Sequence, residues 1–572
     1  MPKRQYESLP GSHGSRVRIK ARGGAVLRDP RINRGTAFTH DEREKLGLTG
    51  LLPSHVTPLE AQLHRSYMRF KNATTPLSKF SYLQGLRERN SVLFYRLLSE
   101  HLDEVMPVVY TPTIGEAIQE FSFWFQTMDG VFLSIDRPEL VEPSLRATEL
   151  GADDVDILIV TDSEGILGIG DQGVGGIQIC NGKKSLYTAA AGIDPDRMLS
   201  IVLDVGTDNL KLLNDELYLG ERHARVRGER YDAFVASFVA AAQTVFPNAM
   251  IHWEDFGASN AHRLLDAYRG DICTFNDDIQ GTAAVVASAI LAGVQAKREK
   301  LGQQRFVIHG GGTAGIGIAD LLVDLLAKEG LTEDEARKLF WVTSSRGLVT
   351  DDATQRFRDF QRPYARGIGE LADWDLNHPG VYKLADIVRN VRPTVLIGTS
   401  GQPDSFSEEI IRDMAAHVER PLILPLSNPT TLAEALPENL LEWTHGRALI
   451  ATGSPFQPVL HDETTHTIAQ ANNALVFPGL GLGVAVCNAE RVTDSMIAAS
   501  AEAVASLAEA RRPGQSLLPS INDLRRVSAT VAIAVAKAAE VDGVARSPLT
   551  NPVQQVFESM WMPNYPELIF DE

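Results

Sequence analysis

The amino-acid sequence predicts an α/β protein with parallel sheets, because strand-like and helix-like segments alternate along most of its length. From about His40 to Gln126 apolar residues recur at helical spacing, which predicts a helical region first. Beyond Gly130 short runs rich in β-branched residues alternate with helical stretches. The strand-like runs lie at 131–135, 157–160, 200–203, 249–253, 306–308, 339–343, 394–401, 422–430 and 448–455. Strands that alternate with helices in this way form parallel sheets.

The same patterns predict the division of the chain into domains. The first thirty residues hold seven Lys or Arg against two acids and have no apolar core, so we expect a disordered basic tail there. The predicted segments are this tail over 1–30, a helical N-terminal domain over 31–128, a discontinuous parallel-sheet domain over 129–280 and 467–538, a second α/β domain over 281–466, and a C-terminal tail domain over 539–572.

Composition and charge exclude several classes of protein. The chain has 572 residues, of which 44% are apolar and 22% charged, and these ordinary values exclude a disordered or fibrous chain. A net charge of −18 repels phosphate backbones and anionic lipid surfaces, so we expect neither nucleic acid nor a membrane as a partner. No apolar stretch reaches the ~18 residues that are needed to span a bilayer.

Cysteine usage indicates the redox compartment. Cys180, Cys273 and Cys487 lie far apart without CxxC spacing, which argues against a disulfide framework or a structural zinc site. A reducing compartment fits best, and we expect the cytoplasm. An organelle matrix is the alternative, because a transit peptide would also be basic and poor in acids.

A glycine-rich loop predicts a dinucleotide-binding domain of the Rossmann type. Gly310, Gly312 and Gly315 fit the pattern GxGxxG, between an apolar run and a helical pattern. In this arrangement the first glycine permits a tight turn, the second admits a pyrophosphate, and the third lets helix and strand pack closely. Thr313 and Ala314 lie at the predicted helix start, where backbone amides face the phosphates. The alternative is an ordinary glycine-rich turn.

The end of the next predicted strand bears on the choice of cofactor. An acid that binds the ribose 2′-hydroxyl is expected there in an NAD-binding domain, but the chain has Ser344, Ser345 and Arg346. Hydroxyls and a guanidinium suit a 2′-phosphate, which favours NADP or dual specificity. A solvated turn whose arginine faces water is an equal alternative, so the sequence leaves NAD or NADP open.

Two pairs of acids predict a metal site. Glu254 and Asp255 end one strand-like run, and Asp277 and Asp278 end the next. Ligands collect beyond the carboxyl ends of parallel strands, and carboxylates gathered there suit Mg²⁺ or Mn²⁺. The alternative is that these acids cap helices and turns, because Asn276, Asp277 and Asp278 lie just before a helical stretch, where Asp and Asn are common caps.

A set of motifs in a fixed order resembles the malic enzyme family, from about Arg34 to near Tyr565. The motifs are MPVVYTPTIGEAI, ILGIGDQGVGGIQI, LDVGTDN, HWEDFGASNA, CTFNDDIQGTAA, HGGGTAGIGIA, LSNPT and ATGSPF. The resemblance implies metal-dependent oxidative decarboxylation of L-malate to pyruvate and CO₂, with reduction of NAD or NADP. It also implies a homo-oligomer, either a dimer or a tetramer.

The resemblance also implies roles for individual residues. Its metal ligands match Glu254, Asp255 and Asp278, with Asp277 holding the catalytic groups in place. Its general base matches Lys183, with Lys184 as the adjacent competitor, and its general acid matches Tyr110. Asn428 and Asn473 match amides that hold substrate and nicotinamide; without the resemblance they would be read as turn residues.

The chain departs from the family pattern at one position. Many malic enzymes have, in the segment that matches TDSEGILGIGD, an arginine that clamps a substrate carboxylate, and this chain has Gly165. Either another cation supplies the contact or the substrate lies differently. The malolactic enzymes, which convert malate to lactate and CO₂ with bound NAD, look similar in this stretch and are the alternative. A nucleotide-binding sensor without catalysis is a remote third hypothesis, which the intact set of catalytic residues opposes.

Overall fold

The computed structural model describes residues 5–9, 14–125, 130–352, 357–378, 380–510 and 512–570. The chain forms two compact units. The first comprises Met1–Phe275, Gly481–Arg491 and Gly543–Glu572, and the second comprises Asn276–Leu480 and Val492–Asp542. The predicted boundary between 128 and 129 lies outside the described residues, and the finer five-part division stays a prediction.

The described residues form strands and helices in the following order along the chain. The strands are β1 (Tyr6–Ser8), β2 (Arg16–Ile19), β3 (Val131–Ser134), β4 (Ile157–Thr161), β5 (Met198–Asp204), β6 (Met250–Trp253), β7 (Thr274–Asn276), β8 (Phe306–His309), β9 (Phe340–Ser344), β10 (Gly347–Leu348), β11 (Val395–Gly398), β12 (Leu422–Pro425), β13 (Leu449–Thr452), β14 (Val459–His461), β15 (Thr464–His466), β16 (Ala469–Gln470) and β17 (Glu567–Ile569). The α-helices are α1 (Gly24–Arg28), α2 (His40–Leu46), α3 (Leu59–Asn72), α4 (Pro76–Arg89), α5 (Ser91–Glu100), α6 (Leu102–Val109), α7 (Thr113–Gln119), α8 (Val141–Arg146), α9 (Ile177–Leu186), α10 (Leu210–Leu213), α11 (Glu229–Val245), α12 (Ala258–Tyr268), α13 (Thr282–Lys297), α14 (Thr313–Lys328), α15 (Glu333–Arg337), α16 (Leu384–Val391), α17 (Glu408–His417), α18 (Pro437–Trp443), α19 (Phe477–Cys487), α20 (Asp494–Ser506), α21 (Leu524–Val541) and α22 (Pro552–Ser559).

The first unit contains a five-stranded sheet in the order β3-β5-β4-β6-β7. The pairs β3–β5, β4–β5 and β4–β6 are parallel, as the sequence predicted. Every residue of β4, β5 and β6 is buried, because a parallel sheet is covered on both faces. The helices α2–α7 precede this sheet in the chain and confirm the predicted helical region.

The second unit contains a seven-stranded sheet in the order β10-β9-β8-β11-β12-β13-β16. All neighbouring pairs are parallel except β10–β9. Chain order reverses between β8 and β11, which is the position where ligands bind in open α/β sheets. The Rossmann-type prediction is confirmed, and the glycine loop follows β8 directly at this point.

The expected disordered tail is wrong for the described residues at the N-terminus. Strand β2 pairs antiparallel with β1 and parallel with β17, which lies at the other end of the chain. Val17 and Val26 are fully buried in a small core beneath this sheet, and Leu568 packs there too. The partner strand is about 550 residues away in sequence, so local composition could not reveal it.

The expectation that no apolar stretch is long enough to span a bilayer is wrong for one helical segment. The helical segment Asp277–Lys297 has 21 residues and a mean hydropathy of 1.5 over its most apolar window, so by length and composition it meets the criterion for a membrane span. Of that window 78% is buried inside the protein. The alanines of α13 explain both facts, because small apolar side chains let a core helix pack closely on its neighbours.

We expect Trp561→Ala to destabilise the protein by about 3–5 kcal/mol, the usual cost of deleting a buried tryptophan. Trp561 is 3% exposed, and its ring lies 4.5 Å from the Arg31 guanidinium and packs edge-on to Tyr95. The measurement is the urea unfolding midpoint by circular dichroism. Phe557→Ala is the control, since Phe557 is 60% exposed and its loss is expected to change stability by less than about 0.5 kcal/mol. An equal decrease of the unfolding midpoint in both variants would contradict the conclusion that Trp561 is packed in the interior.

Candidate active site

The candidate base lies on a helix that approaches its neighbours unusually closely. All ten residues of α9 are buried, and Lys183 is 2% exposed. A Cβ at the preceding Gly182 would lie 3.0 Å from Tyr110 Cδ2 and 3.2 Å from Val109 O. Glycine is therefore needed for α9 to pack against the end of α6. This approach brings the Lys183 ammonium within 5.4 Å of the centre of the Tyr110 ring.

Lys183 contacts the first of the predicted metal ligands. Its Nζ lies 3.1 Å from Glu254 Oε1, and both side chains are only 2% exposed. Glu254 directly follows β6, and its amide donates to Val160 O on β4. Asp255 comes next with φ +54°, so the strand has ended there. The two acids can therefore serve one site, which adjacent residues within a strand cannot do.

The loop after β4 forms hydrogen bonds to both the backbone and the side chain of Asp255. Gly165 N donates to Asp255 O at 2.9 Å, and Leu167 N donates to Asp255 Oδ2 at 3.1 Å. A Cβ at Gly165 would lie 2.9 Å from Phe256 O. In this backbone position 165 cannot carry a side chain without a shift, so the family's arginine has no place here.

A buried arginine fixes the same loop. The Arg225 guanidinium forms two hydrogen bonds to Asp171, at 2.8 and 2.9 Å, and one to Asp162 O at 2.8 Å. Burial alone would raise the pKa of Asp171, but Arg225, with smaller contributions from the Asp208 amide and the Thr207 hydroxyl, outweighs burial and holds the pKa below its usual value. The Arg225 side chain is fully buried, and these hydrogen bonds hold the loop at Asp162 and Asp171.

Sequence reasoning missed two buried side chains beside Glu254. His252 Nε2 lies 2.8 Å from Glu254 Oε2, and His252 Nδ1 lies 2.7 Å from the Tyr187 hydroxyl. His252 and Tyr187 are both fully buried. The spacing held a usable signal, because residues two apart on a strand face the same side.

A neighbouring thiol takes no part in this chemistry. Burial, and then the Glu254 and Asp255 carboxylates, raise the pKa of Cys180 well above its usual value. The thiol therefore stays protonated and unreactive.

In the second unit Asp277 contacts Asn473. The Asn473 amide donates to Asp277 Oδ2 and Asp277 O, both at 3.1 Å. Asn276, rather than either aspartate, caps the helical turn, since its Oδ1 accepts from Ile279 N at 2.9 Å. Asp277 is 1% exposed and Asp278 is partly buried. The predicted cap is therefore confirmed for Asn276.

The glycine loop has the geometry that a pyrophosphate site requires. Gly310 has φ +117°, and a Cβ there would lie 2.5 Å from the carbonyl carbon of Thr399. A Cβ at Gly315 would collide with Gly310 O, whereas one at Gly312 meets nothing within 4 Å. The open space at Gly312 adjoins the start of α14, where Thr313 and Ala314 begin the helix.

The remaining predicted cofactor residues lie at two turns of the second unit. Ser344, Ser345 and Arg346 form the turn from β9 to β10, in which Ser344 Oγ accepts from Arg346 N at 3.2 Å. Ser345 and Arg346 are exposed. Asn428 precedes a cis peptide bond to Pro429, and its Oδ1 accepts from Ser454 Oγ at 2.6 Å.

The donor chemistry fits both groups that the sequence predicted. Carboxylate oxygens are the ligands that Mg²⁺ and Mn²⁺ prefer, and Glu254 and Asp255 offer them from a buried strand end. At the start of α14 the Thr313 hydroxyl is buried and makes no hydrogen bond to any described residue. A cofactor phosphate would supply the acceptor that this hydroxyl lacks.

Comparisons with known proteins agree with this geometry. Residues 87–269 match the family model described as "Malic enzyme, N-terminal domain", and residues 279–540 match "Malic enzyme, NAD binding domain". The chain is 51% identical to "NAD-dependent malic enzyme 3" of Bacillus subtilis (strain 168), over 96% of this chain and 97% of that one. It is 46% identical to "NAD-dependent malic enzyme" of Sodalis glossinidius, over 95% and 96% of the two chains.

Solved structures share the fold. The malic enzyme of Entamoeba histolytica superposes with a TM-score of 0.55 at 21% identity and covers 90% of each chain. That of Pyrococcus horikoshii superposes with a TM-score of 0.53 at 23% identity, over 80% of this chain and 89% of the other. Two family models that together span most of the chain, and relatives near half identity over nearly all of it, make this chain a member of the malic enzyme family.

Proposed function

We propose that this protein is an NAD-dependent malic enzyme, which oxidises and decarboxylates L-malate to pyruvate and CO₂. The observation that carries the proposal is the buried contact between Lys183 and Glu254 beside Tyr110. It supplies a base, a metal-binding carboxylate and an acid in one place, in a chain whose relatives are named NAD-dependent malic enzymes. A sensor without catalysis would have no use for a lysine buried in this way.

The residues of the chain account for the proton transfers of the reaction. A divalent cation held by Glu254, Asp255 and Asp278 would polarise the C2 oxygen of malate, and NAD held at the glycine loop would take up the hydride from C2. Lys183 acts in this step as the uncharged amine, and its Nζ takes the C2 hydroxyl proton as the hydride leaves. The ammonium that results is the form that pairs with Glu254. After the C3–C4 bond breaks and CO₂ departs, the Tyr110 hydroxyl donates a proton to C3. Pyruvate then carries one hydrogen that came from the protein, which balances the proton taken by Lys183.

We assign the divalent metal to Glu254, Asp255 and Asp278, with Mg²⁺ or Mn²⁺ as the ion. Glu254 and Asp255 follow β6, and Asp278 follows β7, the neighbouring strand of the same sheet. Asp277 then acts as a positioning residue, and its hydrogen bonds to Asn473 support this role.

We assign NAD, rather than NADP, as the cofactor. The relatives named above are called NAD-dependent. The solvated-turn alternative for Ser344 to Arg346, which needs no 2′-phosphate, supports the same choice. Its Ser344 hydroxyl is used within the turn, and its Arg346 side chain faces solvent. In this assignment Gly310, Gly312 and Gly315 admit the pyrophosphate, and Asn428 and Asn473 hold nicotinamide and substrate.

We further propose a homo-oligomer, a dimer or a tetramer, in the cytoplasm. Phe123, Trp124 and Phe125 are 63%, 51% and 51% exposed, and three consecutive exposed aromatic side chains favour burial against a second copy. Cys180, Cys273 and Cys487 are buried thiols, as suits a reducing compartment.

Purified protein with L-malate and Mn²⁺ is expected to form reduced NAD and pyruvate in a one-to-one ratio. The reaction is followed by absorbance of the reduced cofactor and by assays for pyruvate and lactate, with NAD and NADP in separate cuvettes. Removing the metal with EDTA is expected to stop it. Lactate without net reduction of NAD would identify a malolactic enzyme. Faster reduction of NADP would contradict the cofactor assignment, and no product at all would contradict the function.

Lys183→Met is expected to lower kcat about 10²- to 10⁴-fold, the usual contribution of a positioned base. NAD affinity, measured by fluorescence titration, is expected to stay unchanged, because the glycine loop is untouched. Lys184→Met is the matched control, since Lys184 is the next residue of α9 and is also buried. A loss of kcat as large in the control would contradict the assignment of Lys183 as base.

Gly165→Ala is expected to lower kcat/KM for malate roughly 10- to 100-fold, because even a methyl group at this position must displace the backbone at Asp255 and Phe256. Ile169→Ala, a change at an exposed position of the same loop, serves as control and is expected to have little effect. Full activity of Gly165→Ala would show that the loop tolerates a side chain, and the close approach would then carry no function.

A further inference from the structure

A buried chain of hydrogen bonds runs from Tyr187 through His252 and Glu254 to Lys183. The Tyr187 hydroxyl lies 2.7 Å from His252 Nδ1, His252 Nε2 lies 2.8 Å from Glu254 Oε2, and Glu254 Oε1 lies 3.1 Å from Lys183 Nζ. Each of the four side chains is at most 2% exposed. Tyr187 and His252 have no part in the proton transfers proposed above. Their hydrogen bonds next to Glu254 therefore need a separate explanation.

The carboxylate partner fixes the direction of the hydrogen bond to Glu254. A carboxylate only accepts, so His252 Nε2 carries a hydrogen and donates it to Glu254 Oε2. In the neutral imidazole with its hydrogen on Nε2, Nδ1 accepts from the Tyr187 hydroxyl. This arrangement aims the ring N–H at Glu254.

We infer that His252 is a positioning residue for metal binding, which holds the Glu254 carboxylate in the orientation that a divalent cation requires. The inference rests on the proposed function, because it takes Glu254 as a metal ligand. Hydrogen bonds from a second residue orient a ligating carboxylate and tune it for the metal. A free glutamate side chain has three rotatable bonds, whereas this one is held through both oxygens before any ion arrives.

The surroundings of His252 hold the ring itself in place. His252 belongs to β6 and is paired with Ile159 of β4, so its backbone is fixed by the sheet. Its ring packs edge-on against Phe275 and Tyr187. A Cβ at Gly481 would lie 2.6 Å from Tyr187 Cε1, so a glycine is needed for Tyr187 to reach its position. The donor to Glu254 is therefore rigid.

Two substitutions separate positioning from simple packing. Gln can place its amide nitrogen where His252 Nε2 lies, so His252→Gln keeps a donor to Glu254. Asn is one carbon shorter, so His252→Asn can contact Tyr187 but cannot reach Glu254. Both changes remove the same ring, and both are expected to lower the unfolding midpoint by similar amounts.

The probe is Mn²⁺ alone, titrated into the full-length protein without malate or NAD and followed by the electron paramagnetic resonance of free Mn²⁺. We expect His252→Asn to raise the Kd for Mn²⁺ about 10- to 100-fold, as losses of ligand-orienting partners do. His252→Gln is expected to stay near the wild-type Kd. Tyr187→Phe keeps the aromatic volume and is expected to lie between wild type and His252→Asn, which provides a test should the histidine variants fail to fold.

Equal Mn²⁺ affinity in wild type and His252→Asn would overturn the inference, and so would equal losses in the Asn and Gln variants, which would indicate packing alone. A wild-type Kd for Tyr187→Phe would likewise contradict the inference that the hydrogen bond from Tyr187 to His252 helps to hold Glu254 in place. If the wild-type protein itself binds no Mn²⁺ and forms no pyruvate, the proposed function fails first. Wild-type activity together with an unaffected Asn variant would reject only the role of His252.

Discussion

The burial of charge at Lys183 and Glu254 is the constraint on which the rest of the first unit depends. An ammonium and a carboxylate taken out of water each lose several kcal/mol of hydration, and only good geometry and further hydrogen bonds offset that cost. Glu254 has these bonds from Lys183 on one oxygen and from His252 on the other. The close packing of α9, permitted by Gly182, follows from the need to bring the lysine to this carboxylate.

Backbone atoms approach each other closely at both candidate sites, and glycines make the approach possible. In the first unit Gly165 lies against the carbonyl of Phe256, and in the second Gly310 lies against Thr399. A side chain at either position would push apart the loops that end neighbouring strands. One physical requirement therefore explains the glycine at both positions: loops that follow neighbouring strands must approach each other closely.

Patterns with a local cause could be read from the sequence, and those with a distant cause could not. The buried parallel strands were predictable, because both of their faces are apolar over four to seven residues. The predicted metal ligands and the glycine loop were singled out because they follow such strands. The family resemblance added Tyr110, Lys183, Asn428 and Asn473, whose roles no local pattern marks. The sheet of β1, β2 and β17 was missed, since its pairing joins the two ends of the chain. The cap at Asn276 is a local contact that the sequence offered, whereas the hydrogen bond from His252 to Tyr187 joins residues 65 positions apart and becomes visible only in three dimensions.

The backbone at Asp255 shows how function accounts for a local cost. A non-glycine residue with φ +54° costs on the order of 1–3 kcal/mol, and two hydrogen bonds from the loop after β4 hold it there. The gain is geometric. On a continuing strand Glu254 and Asp255 would face opposite sides of the sheet, and only one could reach an ion at its edge. The turn at Asp255 ends the alternation, and the Asp255 carboxylate then accepts from Leu167 N of the loop after β4. His252, two residues before Glu254, lies on the same face as Glu254. Strain at one residue and alternation along the strand thus allow the proposed positioning group and the two proposed metal ligands to come from a segment of four residues.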